Sequence, residues 1–259
     1  VTIGATPTAN AGSNAVVNCS SPTATLSGTG GGTYSWVASG GGNITSGAGS
    51  ATPTVDAAGT YTLTVTNAAG CIDSDITTVS EDVTPPTAGS SAAGIIDCNN
   101  TTTTVTGTGG GTYSWVASGG GNITSGAGSA TATVDAAGTY TVTVTGANGC
   151  VDTDVTVVTD DLTTPIANAG SAGVIDCNNT TINLSGSGGG DYSWVASGGG
   201  NITSGASSAT PTINAAGTYT VTVTGANGCT DTDVTTVTTD LTPPNADAGS
   251  DGAIDCTVS

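Results

Sequence analysis

Seven cysteines stand in two registers along this 259-residue chain. Cys19, Cys98, Cys177 and Cys256 form one register and Cys71, Cys150 and Cys229 the other, with a constant step of 79 residues, as from Cys19 to Cys98. Cysteines so evenly placed in a Thr-, Ser- and Gly-rich chain are the pattern of structural disulfides made in an oxidising, extracellular compartment, not of nucleophiles. Carboxylates share the period. Asp73/Asp75, Asp152/Asp154 and Asp231/Asp233 follow the second register, Asp97, Asp176 and Asp255 precede the first, and Glu81/Asp82, Asp160/Asp161 and Asp240 close each unit. Oxygen ligands with no basic partner invite a hard cation such as Ca2+, and Asp97, Asp160, Asp161, Asp231 and Asp233 are the candidate set if domains stack. No EF-hand loop is present, so the plainer expectation is solvated carboxylates that keep an extracellular chain soluble. Asn-x-Thr triplets at Asn43, Asn122 and Asn201, and at Asn100 and Asn179, permit glycosylation, although a Thr-rich chain generates such triplets by chance.

Composition removes most other chemistry. The chain has no Lys, Arg or His and a formal charge of −19. The usual bases and oxyanion or phosphate clamps are therefore missing, and an enzyme is not expected. That charge also argues against nucleic acid or an anionic membrane as partner. No apolar run approaches the ~20 residues that span a bilayer. No cofactor is expected beyond the candidate Ca2+.

The elements that must position these residues are strands. Tyr34-Ser35-Trp36-Val37-Ala38-Ser39-Gly40-Gly41-Gly42-Asn43-Ile44-Thr45-Ser46-Gly47 returns unchanged from Tyr113 and again from Tyr192. A fixed period of this size means an array of small domains. Boundaries fall at 1–83 (with the tail of a preceding repeat at 1–6), 84–163, 164–242, and 243–259 as the opening of a fourth repeat. Within one repeat, Thr60 to Thr66 alternates apolar residues with Thr, the mark of a strand with one buried face. Asn67 to Gly70 reads as a hairpin turn and Cys71 to about Val79 as the returning strand. Thr23 to Ser27, Tyr34 to Val37 and Ala51 to Asp56 supply further strands. Six or seven strands per repeat make a β-sandwich, with Trp36, Leu26, Tyr34, Tyr61, Leu63, Val65 and their counterparts as its core. The Thr ladders are expected to be its solvent face. Thr84-Pro85-Pro86, Thr164-Pro165 and Thr242-Pro243-Pro244 mark stiff, extended linkers that favour stacking.

The order Thr-Pro-Pro, Ala-Gly-Ser, Ile-Asp-Cys-Asn-Asn, Tyr-Ser-Trp, Ala-Ala-Gly-Thr-Tyr-Thr-Val-Thr-Val-Thr and Asn-Gly-Cys resembles the PKD-like, immunoglobulin-like repeats of very large bacterial surface proteins, especially in Bacteroidota. The resemblance covers essentially the whole chain and implies an extracellular adhesin, stalk or filament. The chain departs from it in the long polar residues that such repeats usually carry in the segment Ser90 to Gly94. The expected fold is all-β: a tandem array of immunoglobulin-like (PKD-like) β-sandwich domains stacked end to end.

Two disulfide schemes follow. Pairing within repeats gives Cys19–Cys71, Cys98–Cys150 and Cys177–Cys229, the simplest reading of the spacing. Yet Cys19 lies between the first two strands and Cys71 between the last two, at opposite ends of a sandwich ~20–25 Å apart, whereas a disulfide needs Cα atoms within ~7 Å. Stacked domains would instead pair Cys19 with Cys150 and Cys98 with Cys229, leaving Cys71, Cys177 and Cys256 for neighbours. Both stay open at this point. Either way the expected role is a structural rod, stalk or filament at a cell surface, whose partners are neighbouring repeats and laterally packed copies. The alternative is an adhesin module whose exposed loops, such as Gly40 to Gly42, contact glycans or other cells.

Overall fold

A computed structural model describes residues 5–243 and 245–249 and places none of them in an α-helix. Cys256, Asp255 and most of the expected fourth repeat lie outside the described residues. Two compact units divide the chain. One runs to Ile96 and takes in Asn100–Asp160; the other joins Asp97–Asn99 to the residues from Asp161 on. The first unit holds two β-sandwiches and the second holds one, each around its own apolar cluster.

The first sandwich has seven strands: β1 (Ala15–Asn18), β2 (Ala24–Thr25), β3 (Thr33–Ser39), β4 (Ile44–Ser46), β5 (Thr54–Val55), β6 (Gly59–Thr66) and β7 (Ile72–Asp82). One sheet has the order β1-β7-β6-β3 and the other β2-β5-β4. Strand β6 follows directly from its sequence. Tyr61, Leu63 and Val65 are fully buried while the intervening Thr residues are half-buried, as period-2 alternation requires. Opposite them Trp36 pairs with Leu63 and Tyr34 with Val65. Trp36 is buried and its indole N–H donates to the Ser50 carbonyl at 3.0 Å, so the large ring brings no orphan donor into the core. Tyr34 is only half-buried and flanks the core it was expected to join. The expected strand Ala51 to Asp56 shrinks to Thr54–Val55, which pairs with β2 on one side and with the short β4 on the other.

Each sandwich also carries a tyrosine corner. The buried Tyr61 hydroxyl donates to the Ala57 carbonyl at 2.6 Å and accepts the Asn43 amide at 2.9 Å. Tyr140 and Tyr219 repeat it with Ala136/Asn122 and Ala215/Asn201.

The three sandwiches differ in their first strand. In the first and third, contact with the neighbouring edge is one bridge, Asn10 to Thr29 and Asn168 to Ser187. The chain then turns away at Gly12 (φ 78°) and Gly170 (φ 77°), whose amides are accepted by the Asn10 and Asn168 side chains. In the second sandwich Gly89–Ala92 instead forms a four-residue strand paired with Thr103–Thr108. Ser91 stands there at the position of Gly12 and Gly170. A side chain disfavours positive φ, so the backbone continues extended.

Candidate functional site: the cystine-linked turns

The hairpin turns ending in the second-register cysteines are built alike. In the second sandwich the Gly146 amide donates to the Cys150 carbonyl and the Gly149 amide to the Gly146 carbonyl, leaving Gly149 at φ 78°. This four-residue turn needs a left-handed glycine in the place the sequence puts it. Cys150 then bonds Cys19, with Cα atoms 5.0 Å apart. Cys98 bonds Cys229 in the same way, also at 5.0 Å. Each bond spans 131 residues, and neither lies within one repeat, so of the two schemes the structure has the staggered one. Loops of that length correspond to about 5 kcal/mol in the chain-entropy model.

Around each cystine the Asn-Gly-Cys triplet divides the work. Asn148 Oδ1 accepts the Cys150 amide at 3.1 Å, and Asn148 Nδ2 donates to Asp82 Oδ1 and the Thr84 carbonyl, both at 2.9 Å. The Asn148 carbonyl accepts the Ser20 amide at 3.1 Å. Gly149 lies so close to Ser20 that a Cβ on it would stand 2.4 Å from Ser20 Cβ and 2.7 Å from its nitrogen. Cys150 is buried. The second unit repeats the set: Asn227 Oδ1 accepts the Cys229 amide, its Nδ2 reaches Asp161 and the Thr163 carbonyl (2.9 Å), and its carbonyl accepts the Asn99 amide. Thr163 and Asn227 donate to the Asp161 carboxylate and hold its pKa below the usual value. The Asn-Gly-Cys triplet recurs in the sequence, but nothing local to it names its partners. The missed signal is that Asn148 and Asn227 share the 79-residue step with Asp82 and Asp161.

The Asp-x-Asp pairs have a different role from the one their charge suggests. Asp73 and Asp75 accept the Ala9 and Ala11 amides, both at 2.8 Å. Asp231 and Asp233 accept the Ala167 and Ala169 amides, and Asp152 and Asp154 take the Ala88 amide and the Ser90 hydroxyl. These carboxylates clasp the entering strand segment to the last strand, supplying acceptors where ladder pairing is absent. The donors lower the pKa of Asp75 (chiefly the Ala11 amide), Asp154 (chiefly the Ser90 hydroxyl) and Asp233 (chiefly the Ala169 amide).

Among the described residues no group of three or more acidic, His or Cys side chains stands where it could hold a metal ion. Of the candidate calcium set, Asp231 and Asp233 face backbone amides, Asp161 faces Thr163 and Asn227, and Asp97 Oδ1 accepts the Asn99 amide at 2.9 Å. Asp160 is exposed. Asp97, Asp161, Asp231 and Asp233 thus each satisfy a nearby donor. The sequon residues Asn43, Asn122 and Asn201 are exposed at loop positions, with side-chain amides donated to Asp56, Asp135 and Asn214. Cys71 is half-buried at the first sandwich's turn, and Cys177 is exposed at the end of the third. The Trp and corner Tyr rings are buried and offer no stacking platform to a sugar.

Residues 84–159 match the family model of the PKD-like domain, and residues 164–243 match that of an Ig-like domain, CHU_C associated. No curated protein matches the chain in sequence. Among solved structures it is similar to a Ca2+-stabilized adhesin that helps an Antarctic bacterium reach out and bind ice, with a TM-score of 0.51 and 20% identity over 93% of this chain and 75% of that one. It is similar also to a structure from a 1.5-MDa bacterial ice-binding adhesin, studied for host cell surface retention, with a TM-score of 0.50 and 20% identity over 92% of this chain and 99% of that one. At that identity the likeness is one of fold.

Proposed function

We propose that this chain, an array of PKD-like and immunoglobulin-like β-sandwich domains, is a structural rod, stalk or filament segment at a cell surface, giving reach and stiffness. The observation that carries the reading is the staggered cystine: each bond joins the end of one repeat to the turn of the next, so load can bypass a linker. A disulfide inside each bead would not do this. The repeats bounded at 1–83, 84–163, 164–242 and 243–259 are the mechanical units, and the partners are neighbouring repeats and laterally packed copies. Disulfides of this kind suit an extracellular setting, and a chain without Lys or Arg gives trypsin-like proteases no site. The folds shared with bacterial adhesins support the same role.

Small-angle scattering tests the reading. An 11-residue strand such as β7 spans about 36 Å. Three such domains end to end give a rod of about 110 Å, with a radius of gyration of about 32 Å, against about 18 Å for a compact globule of this length. A value near 18 Å would end the proposal.

A further inference from the structure

Each acceptor that receives an Asn-Gly-Cys turn is made of four groups, and the third sandwich carries the same four. Where Cys19 and Cys98 are bonded, Cys177 stands exposed. Where the Ser20 and Asn99 amides donate to a turn carbonyl, Asn178 follows Cys177. Where Asp82 and Asp161 receive an Asn side-chain amide, Asp240 stands, paired in register with Asp176. Where the Thr84 and Thr163 carbonyls accept that same amide, Thr242 stands. Asp176, Cys177, Asn178, Asp240 and Thr242 together line one open recess of about 370 Å³. The carboxylates of the recess are already oriented: Asp176 accepts the Asn178 and Asn179 amides, and Asp240 the Thr242 amide.

We propose that this recess is a socket for the Asn-Gly-Cys turn of a further domain of the same type, closed by a disulfide to Cys177. Glycine is required in the incoming turn for the reason it is required at Gly149 and Gly228, a positive φ; at Gly149 a Cβ would also meet the Ser20 backbone, and at Gly228 the Asn99 side chain. The asparagine supplies the amide that Asp240 and the Thr242 carbonyl would accept, which makes the socket selective among cysteine-bearing turns. Closing the bond takes two electrons and two protons from the two thiols. A disulfide oxidant such as oxidised glutathione accepts them and becomes two thiols. The inference rests on the array reading above.

The test extends the full chain after Cys256 with a copy of residues 178–242, completing one more repeat, and maps its disulfides without reduction after refolding with oxidised glutathione. The expected product links Cys177 to the cysteine of the added turn. A bond from that cysteine to Cys256, or a persistent thiol in a folded added repeat, overturns the socket. The same digest reads Cys19–Cys150 and Cys98–Cys229. If those persist while Cys177 bonds elsewhere, only the socket fails; if they also change to pairs within repeats, the array reading fails.

A second measurement does not depend on the added repeat folding. A cyclic peptide copying residues 143–153, its cysteine activated as a thiopyridyl disulfide, is offered to the unextended chain. The Cys177 thiolate attacks the peptide sulfur, the old S–S bond breaks, and thiopyridone leaves. Labelling of Cys177 should be at least ~5-fold faster than with the peptide carrying Ala for the Asn at position 148, as expected for loss of one or two polar contacts. Asp240→Ala in the chain should remove that preference. Equal rates with both peptides overturn the socket.

Discussion

Gly149→Ala should open the junction between the first two sandwiches, and Gly70→Ala supplies its control. Both glycines sit at positive φ, 78° and 85°, one residue before a second-register cysteine. Each substitution therefore incurs a similar left-handed backbone cost of about 1–2 kcal/mol. They differ in surroundings. A Cβ at Gly70 meets nothing within 4 Å, whereas one at Gly149 stands 2.4 Å from Ser20 Cβ and 2.7 Å from Ser20 N. The overlap involves backbone, so the turn and the segment after Cys19 must separate, at about 1–3 kcal/mol for overpacking. Separation also removes the Ser20–Asn148 hydrogen bond, about 1 kcal/mol more. The backbone cost cancels between the variants and leaves a difference of about 2–4 kcal/mol.

Amide hydrogen exchange reads that difference residue by residue, because it reports the free energy of local opening. The Ser20 amide, which donates to Asn148, should lose protection by ~30-fold or more in Gly149→Ala, taking 2 kcal/mol at 1.4 kcal/mol per tenfold. In Gly70→Ala it should be unchanged. The Asn99 amide, which donates to Asn227 in the second unit, is the control within the same molecule and should be unaffected by either change. Ser20 protection within twofold of the parent in Gly149→Ala, or an equal loss in Gly70→Ala, would refute the reasoning.

Other outcomes follow from the same geometry. Tyr140→Phe removes the hydroxyl that ties Ala136 to Asn122 and takes a partner from the Ala136 carbonyl and the Asn122 amide, so the second sandwich should lose about 1–2 kcal/mol in a denaturant titration followed by Trp fluorescence. Acid should loosen all three sandwiches. The carboxyls of Asp75, Asp154 and Asp233 have folded pKa values below 3.8, so their stabilisation is complete above the unfolded value and is lost as pH falls through the lower, folded one. A thermal midpoint that is flat from neutral pH to about pH 5 and falls below about pH 4 is expected, and a fall beginning near neutrality would contradict the clasp. Gly12→Ala should destabilise the first sandwich by about 2–4 kcal/mol, because its Cβ would stand 2.6 Å from the Ser27 carbonyl at a positive φ, whereas Ser91→Ala at the equivalent extended position should change stability by less than about 0.5 kcal/mol in the same titration.

The strands and their cores were legible because Tyr61, Leu63 and Val65 alternate with Thr, and the Trp in β3 has no apolar home but the interior. The hairpin was legible from its glycine. What escaped the sequence reading depended on contacts made at a distance. Strand β4 is three residues long, too short for any period to show. The Asp-x-Asp clasp joins residues 64 apart in the chain, so its donors, the backbone amides of Ala9, Ala11 and their counterparts, carry no side-chain signal at all. Of the acidic residues considered for calcium, Asp97, Asp161, Asp231 and Asp233 each accept a backbone amide, a partner that acidic composition alone does not reveal. The longer first strand of the second sandwich was written in the sequence as Ser91 for Gly12, but its meaning emerges only once the φ of Gly12 is known. Neither cysteine scheme could be chosen from spacing, since both obey the 79-residue step; the choice came from which ends of the sandwiches face one another in the first unit.

Non-reducing peptide mapping of the native chain, cut with an Asp-directed protease because Lys and Arg are absent, tests the cross-tied array most directly. The account predicts linked peptides that carry Cys19 with Cys150 and Cys98 with Cys229. Linked peptides carrying Cys19 with Cys71 and Cys98 with Cys150 would make each domain a separate bead and contradict it.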